Sequence, residues 1–558
     1  MAKEVVCELF SLLELYGVRH VVCSPGSRNA VLLMEAESHP DIEKTVVVDE
    51  RSAAFIALGI ALCTRRPVAL ICTSGSALLN YAPALAEAFY QGIPLIVISA
   101  DRPVEWIDQD DSQTIRQLGP LDNFTKGCYD LLGDPLHDDY LWYVNRIINE
   151  GLQKSLAPKR GPVQFNVHLD GRADLTPDSL GLSRKILQVT PVQKVSREDL
   201  GNLAEMAFKA NIMIVAGFML PDHRMQRAFS LLQELPNVVI MAETVSNLHL
   251  DPSCYNIDRV FFSNGESILE KYRPEIIISV GGALISRKLK EYLRKCKVRH
   301  HWSLGYSDNL VDCFQALSLK IEADPASFLK SFAKLVARKQ AQSHFSSDYR
   351  AAWSGLRKVW EDVFSRLPWC DLKALHLVFS SLPADADLFL SNGTSVRYGQ
   401  ILPFFPFHAI YSNRGVSGIE GCSSTALGIS LCNGRLTCLV TGDMSFEYDL
   451  GALASGLASS NLLIVVLDNG GGDIFRFINA TKDLPIREKY LCASKSISVR
   501  KLALAFGFDY FAASSVEELQ KALKDVLIPG RLPRILHLIT REAESNSEIL
   551  RKFLKSRI

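Results

Sequence analysis

The 558-residue chain carries 61 basic against 61 acidic residues and is 48% hydrophobic, which gives no electrostatic case for a nucleic-acid or membrane-surface partner. The length predicts three to four domains, and no apolar run reaches the ~18 residues of an integral membrane segment. Thirteen cysteines are scattered without a CxxC pair; those in apolar runs, such as Cys23, Cys63, Cys72, Cys432 and Cys438, read as small buried hydrophobes of a reducing, cytoplasmic protein.

The first residues, MAKEVVCELF, carry charges inside an apolar pattern. They predict an amphipathic helix over 3–16 rather than a secretory leader. Short apolar runs then predict strands, each closed by turn residues. Val21–Cys23 ends in Ser24-Pro25-Gly26-Ser27-Arg28, and Thr45–Val48 ends in Asp49-Glu50-Arg51. Val68–Cys72 ends in Thr73-Ser74-Gly75-Ser76, and Leu95–Ser99 in Ala100-Asp101-Arg102-Pro103. A small-residue helix is expected over Ala53–Cys63. Alternating helix and strand patterns of this kind predict an α/β domain with a mostly parallel sheet, here placed over residues 1–184.

A polar stretch with Thr190-Pro191-Val192 reads as a linker. Residues 185–345 follow as a second α/β unit, with buried strands Ile212–Ala216 and Ile276–Val280 ending at Gly217 and Gly281-Gly282. Neither end forms GxGxxG, so the unit is Rossmann-like without a dinucleotide fingerprint. A charged helical linker is expected over 346–370. The last domain, 371–558, closes with a basic helix, Glu548–Ile558, read as a solvated face.

Within that last domain Leu436–Thr441 predicts a strand, Leu450–Ser459 a helix and Leu462–Leu467 a second strand, a parallel βαβ unit. The strands end in Gly442-Asp443 and in Asp468-Asn469-Gly470-Gly471-Gly472. Each ending alone is ordinary turn punctuation. Together, at neighbouring strand ends, they offer one carboxylate, one amide oxygen and a glycine-rich backbone, a hard-oxygen set suited to Mg²⁺ and a phosphate group. Residues 68–102 also lie on 436–470 without a gap: Thr73 meets Thr441, Ala84-Leu85-Ala86 meets Ala452-Leu453-Ala454, and Leu95-Ile96-Val97 meets Leu463-Ile464-Val465. Upstream, ALGIALC (57–63) meets ALGISLC (426–432). The chain thus reads as two copies of one α/β domain flanking a third. The copies differ where chemistry would sit, with Glu50 of the first facing Ile419 of the second.

This arrangement resembles thiamine diphosphate enzymes. The segments SPGSRNAVL (24–32), DERSAAFIALG (49–59), SADRPVEWID (99–108), QTIRQ (113–117), SNRGVSGIEG (412–421) and GDMSFEYDL (442–450) narrow the resemblance to the MenD family, the 2-succinyl-5-enolpyruvyl-6-hydroxy-3-cyclohexene-1-carboxylate (SEPHCHC) synthases of menaquinone biosynthesis. It covers the first and last domains well and the middle domain thinly, through GGALISRKL (281–289). It implies a transferase that decarboxylates 2-oxoglutarate and adds the resulting succinyl unit to isochorismate in a 1,4-addition. The implied cofactors are thiamine diphosphate and Mg²⁺, with Mn²⁺ as substitute. The implied assembly is a homodimer or homotetramer with active sites between subunits.

By resemblance, Glu50 is the catalytic acid that hydrogen-bonds the aminopyrimidine ring of the cofactor. Asp443, Asn469 and the Gly471 carbonyl hold the metal. Ile419 lies under the thiazolium, and Gly442, Met444, Ser445 and Ile474 complete the cofactor contacts. Ser27, Arg28, Arg102, Gln113, Arg397 and Arg414 are implied substrate contacts, as are Arg287 and Lys288 of the middle domain and Phe475 as an apolar wall. Arginine suits substrates bearing several carboxylates. Three positions depart from the pattern: Met444 follows Gly442-Asp443 where glycine is usual, Gly393 stands where relatives carry serine, and Glu420 where aspartate is usual. Two other readings remain: a thiamine diphosphate decarboxylase or carboligase for another 2-oxo acid, and a non-catalytic paralogue that keeps the fold. The missing GxGxxG counts against a nucleotide-dependent dehydrogenase.

Overall fold

The computed structural model describes residues 2–132, 137, 139–170, 183–189, 194–356, 361–493, 497–541 and 546–555. Three sheets form, and every strand pairing in them is parallel. The first holds β1 (His20–Cys23), β2 (Glu43–Val46), β3 (Val68–Cys72), β4 (Leu95–Asp101), β5 (Cys128–Leu131) and β6 (Val163–His168), in the order β2-β1-β3-β4-β6-β5. The second holds β7 (Ile212–Ala216), β8 (Val238–Ala242), β9 (Ile276–Val280), β10 (His300–Leu304) and β11 (Leu317–Ile321), ordered β11-β10-β9-β7-β8. This is a doubly wound arrangement whose strand order reverses between β7 and β9. The third holds β12 (Asp387–Leu390), β13 (Ala409–Tyr411), β14 (Thr437–Gly442), β15 (Leu462–Asp468), β16 (Asp509–Ala513) and β17 (Arg534–Ile539), ordered β13-β12-β14-β15-β17-β16.

The first and third sheets share one strand order, so the repeat in the sequence is a repeat in the fold. Its two copies also meet. The helix Glu50–Thr64 packs on the helix Cys422–Asn433, the most extensive contact between two elements among the described residues. Both helices are built from small residues and are buried over most of their length. At the crossing, a Cβ on Gly59 would stand 2.1 Å from the Thr425 carbonyl oxygen, and one on Gly428 would stand 2.1 Å from that of Ile56. Gly59 corresponds to Gly428 and Ile56 to Thr425 in the repeat, so the contact is reciprocal, as in a two-fold interface. Only glycine allows backbones this close.

Some local expectations shift. The second strand runs Glu43–Val46 rather than over 45–48, at the sheet edge, where Val46 and Val48 are 61% and 76% exposed. The Leu450–Ser459 helix is a short turn, Gly451–Ala454, because Gly456 takes a left-handed φ of 68° and ends it; a separate helix, Asp443–Tyr448, starts at the β14 end. The stretch expected as a linker over 346–370 contains helices Tyr349–Gly355 and Glu361–Arg366, and its Tyr349, Trp353 and Phe364 are buried. The final helix, Asn546–Lys555, buries Ile549, Leu550, Phe553 and Leu554 against the last domain, so it is docked rather than wholly solvated. The residues 190–192 read as a linker lie outside the described residues.

Candidate active site

In open parallel sheets, ligands bind beyond the carboxyl ends of strands, and the candidate residues collect there. In the last domain β14 and β15 are neighbours, with Gly442 opposite Leu467, so Asp443 and Asn469 leave adjacent strand ends. The Asp443 carboxylate accepts the N–H of Met444 at 2.8 Å and of Gly471 at 2.7 Å. Burial pushes its pKa up to about 6, against the pull of those two N–H groups. Gly470 and Gly471, at φ 84° and 110°, take the left-handed backbone that brings the loop back to Asp443. The Asn469 side chain is 8% exposed; its Nδ2 donates to Asp371 at 2.7 Å, and its Oδ1 has no partner. The Gly471 carbonyl accepts the N–H of Asp473, which leaves it one lone pair. Among the described residues no three His, Cys, Asp or Glu side chains form a metal cluster. The donors here are of another kind: a carboxylate, an unsatisfied amide oxygen and a glycine loop, which fit a hard cation that keeps water and phosphate ligands.

Beside this loop, the Ser445 hydroxyl donates to the Ile419 carbonyl at 2.6 Å, tying the residue opposite Glu50 in the repeat to the Asp443 helix. Arg414 donates to Asn392 Oδ1 at 2.7 Å, and Asn392 in turn donates to the carbonyls of Asn413 and Gly418. Arg397 donates to the Gly393 carbonyl. Burial lowers the pKa of both guanidiniums; Arg414 lowers that of Arg397 further, while Asp258 opposes this. A cleft lined by Asp258, Phe262, Thr394, Arg397, Asp473, Ile474 and Phe477 joins Arg397 to the loop after Asn469. The Phe475 ring packs back on Gly472 of that loop. From the middle domain, Arg287 and Lys288 open the helix Arg287–Cys296. Both pair with Glu291, at 3.0 and 3.1 Å, and Arg287 is largely exposed; Lys288 also lies 5.6 Å from the Phe262 ring centroid, at the cleft.

The first-domain residues form a second group. Glu50, half-buried, is the first residue of its helix, which Asp49 caps by accepting from Arg51 and Ser52. The Glu50 charge acts on Cys72 and Tyr81, which places it over the β3 end. Arg28 donates to the Leu169 carbonyl at 3.2 Å, and burial and the nearby Arg102 lower its pKa. Arg102 pairs with Asp111 at 2.5 Å. Ser27 and Gln113 are exposed, with Gln113 next to Gly75 at the β3 end. Among the described residues, no hydrogen bond or ion pair joins this group to Asp443, Asn469, Arg397 or Arg414.

Three buried acids that pattern reasoning missed support the site. Glu87 accepts the N–H groups of Gly415, Val416 and Ser417. Glu243 accepts those of Ile285 and Ser286. Asp371 accepts from Asn469, Thr540 and Tyr398. An acid inside the apolar run ALAEAF was a visible signal for Glu87; the other two had none.

Residues 4–119 match the model described as "Thiamine pyrophosphate enzyme, N-terminal TPP binding domain", and residues 393–538 match its C-terminal counterpart. The two copies of the repeated fold are therefore the paired cofactor-binding domains of a thiamine pyrophosphate enzyme. Within that class, the chain is 39% identical to the 2-succinyl-5-enolpyruvyl-6-hydroxy-3-cyclohexene-1-carboxylate synthase of Porphyromonas gingivalis, over 99% of this chain and 96% of the relative. It is 35% identical to the synthase of that name from Christiangramia forsetii, over 96% of each, and 31% identical to that of Bacteroides thetaiotaomicron, over 99% of this chain and 98% of the relative. The chain belongs to the SEPHCHC synthase family. These alignments run through the middle domain, where sequence motifs alone were sparse.

Proposed function

We propose that the protein is a SEPHCHC synthase of menaquinone biosynthesis, joining the succinyl unit of 2-oxoglutarate to isochorismate with release of carbon dioxide. The observation that carries this reading is the cationic pair beside the Asn469 loop: the half-buried Arg397 lines one cleft with Asp473 and Ile474, and the charge of the half-buried Arg414 acts on it. Asp258 acts on Arg397, and Glu243 and Glu87 on Arg414, offsetting part of that charge, and the guanidinium forks suit an occupant with several carboxylates.

Thiamine diphosphate, when bound, supplies the nucleophilic carbon and the electron sink for decarboxylation and carbon–carbon bond formation. The residues of the chain bind and orient. Asp443, Asn469 and the Gly471 carbonyl would hold Mg²⁺ or Mn²⁺ against the diphosphate, and Gly442, Met444, Ser445 and Ile474 would line it. Ile419 would support the thiazolium ring from below. Glu50 would hydrogen-bond the aminopyrimidine ring nitrogen, with its carboxyl half-buried at the start of its helix. Arg28, Arg102, Arg397 and Arg414 would clamp substrate carboxylates, with Ser27 and Gln113 as polar contacts, Phe475 as an apolar wall, and Arg287 and Lys288 reaching from the middle domain. Gly393 offers no hydroxyl, so that contact would fall to Thr394 or Ser395.

Among the described residues no hydrogen bond or ion pair joins Glu50 to Asp443 or Asn469, while Arg51 beside Glu50 donates to the Tyr448 carbonyl at the end of the Asp443 helix at 2.8 Å. The family resemblance is what points to an assembly in which the first domain of one subunit faces the last domain of another, a homodimer or a pair of dimers. Among the described residues no disulfide joins the thirteen cysteines, in keeping with the cytoplasmic setting proposed here. Among the described residues no helix is long and apolar enough to cross a membrane.

The test combines purified protein, thiamine diphosphate, Mg²⁺, 2-oxoglutarate and isochorismate, and follows loss of isochorismate absorbance. Loss that needs every component, and that Glu50→Gln abolishes while keeping the fold, is the expected result. Carbon dioxide release without isochorismate loss would mean the acceptor is wrong; release from other 2-oxo acids only would favour the alternative carboligase.

A further inference from the structure

We propose that Asp371 is a positioning residue that fixes which way the Asn469 side chain faces, and so presents its oxygen to the cation. The inference rests on the cation reading above and extends it to a residue outside the loop.

An asparagine amide has two nearly isosteric ends, one a donor and one an acceptor. Only the oxygen ligates a cation, so a metal site using asparagine needs something that selects the rotamer. Asp371 supplies the selection. It is the first residue of the helix Asp371–Ser381 and is fully buried. Every group around its carboxylate donates: Asn469 Nδ2 at 2.7 Å, Thr540 Oγ1 at 2.6 Å and Tyr398 OH at 3.2 Å. Its backbone N–H is held by Asn546 Oδ1 at 2.7 Å. The four partners come from the β15 end, the segment after β17, the helix Ser395–Ile401 and the final helix, so three of them fix the carboxylate and the fourth fixes the backbone beneath it. With its NH₂ committed to Asp371, Asn469 turns Oδ1 the other way, where that buried atom has no protein partner. A buried acceptor is rarely left unpaired unless water or a ligand completes it, and here it belongs to the loop that the Gly471 N–H holds to the Asp443 carboxylate. Reversing the amide would set Oδ1 against a carboxylate oxygen and lose the hydrogen bond, a repulsion that a loose loop could not impose. Partners that orient metal ligands commonly carry a large part of the affinity.

The experiment is a Mn²⁺ titration of the full chain with thiamine diphosphate, read by electron paramagnetic resonance, with folding checked by the thermal transition. Asp371→Leu removes the acceptor at similar volume and is expected to raise the Mn²⁺ Kd about tenfold or more. The exchange D371N/N469D keeps the charge and the hydrogen bond but places the carboxylate at the loop. Since a carboxylate presents oxygen whichever way it turns, it is expected to bind Mn²⁺ close to the wild-type value. Folded Asp371→Leu with wild-type affinity would overturn the inference. So would an exchange variant as weak as Asp371→Leu, and the exchange decides the matter if Asp371→Leu does not fold. Wild-type protein that binds no Mn²⁺ in the presence of thiamine diphosphate would overturn the cation reading itself, an outcome distinct from the other two.

Discussion

The carboxylate of Glu87, in the first domain, accepts the backbone N–H of Gly415 at 2.5 Å and of Val416 at 2.7 Å, in the last domain. A single buried side chain thus organises the turn between Arg414 and Ile419. Gln91 of the same helix adds a bond to the Ser412 carbonyl. Replacing Glu87 with alanine strands these N–H groups, at a cost of about 3 kcal/mol. Urea unfolding will show the lower midpoint, and the activity of the folded fraction will fall because Arg414 loses its fixed turn. Glu87→Gln, which keeps one acceptor, should lose less of both.

The glycine crossing between the repeated domains predicts a strong steric effect. A valine at Gly428 places atoms within the backbone of the Glu50–Thr64 helix, and backbone cannot move aside as a side chain can. Gly428→Val is expected to destabilise by about 3 kcal/mol or to yield insoluble protein. The reciprocal Gly59→Val should behave alike. A variant with unchanged thermal stability would show that the helices do not meet at these residues.

Arg397 and Arg414 predict opposed effects on stability and function. Burial lowers the pKa of both, and Arg414 lowers that of Arg397 further, a strain that a bound polyanion relieves. Arg397→Met should raise the unfolding free energy of the ligand-free protein by about 1 kcal/mol. It should also lower kcat/KM for condensation about 100-fold. Calorimetry without substrate, beside initial-rate kinetics, separates the two effects.

Glu243 predicts a pH dependence. Burial raises its pKa from 4.5 to about 7. Between these values the unfolded chain has released the proton while the folded chain retains it, so stability falls as pH rises through this window and levels off above 7. The contribution is on the order of 3 kcal/mol. Glu243→Gln removes its part of that slope, measurable as flatter unfolding midpoints from pH 4.5 to 8; Asp371, raised to about 7, and Asp443 and Asp449, raised to about 6, all by burial, retain slopes of the same sign.

Interior strands such as Val68–Cys72 and Leu95–Ser99 were legible in the sequence because both faces are buried and the whole run is apolar. The edge strand β2 was not placed correctly, since Val46 and Val48 are β-branched yet solvent-facing. The stretch 450–459 has helical spacing, but pattern alone does not register that Gly456 leaves the helical region. The residues that touch cofactor or substrate could be proposed because they follow strand ends in recognisable runs. Those behind them could not: Glu87 bonds residues more than three hundred positions away, and Asp371 reaches Asn469 across the domain. A hydrogen bond between distant segments leaves no periodic trace in either.

The reciprocal contact of Gly59 and Gly428 also bears on how such a chain could arise. A two-fold interface between identical domains obliges every mutation to occur twice, once on each side. When the gene for such a domain is duplicated in tandem and fused, the same interface persists inside one polypeptide, but its halves are inherited separately. The crossing kept its glycine in both copies. The residue at the entrance of each helix was free to diverge, to Glu50 in one and Ile419 in the other. Fusion thereby turned a symmetric contact into a division of labour.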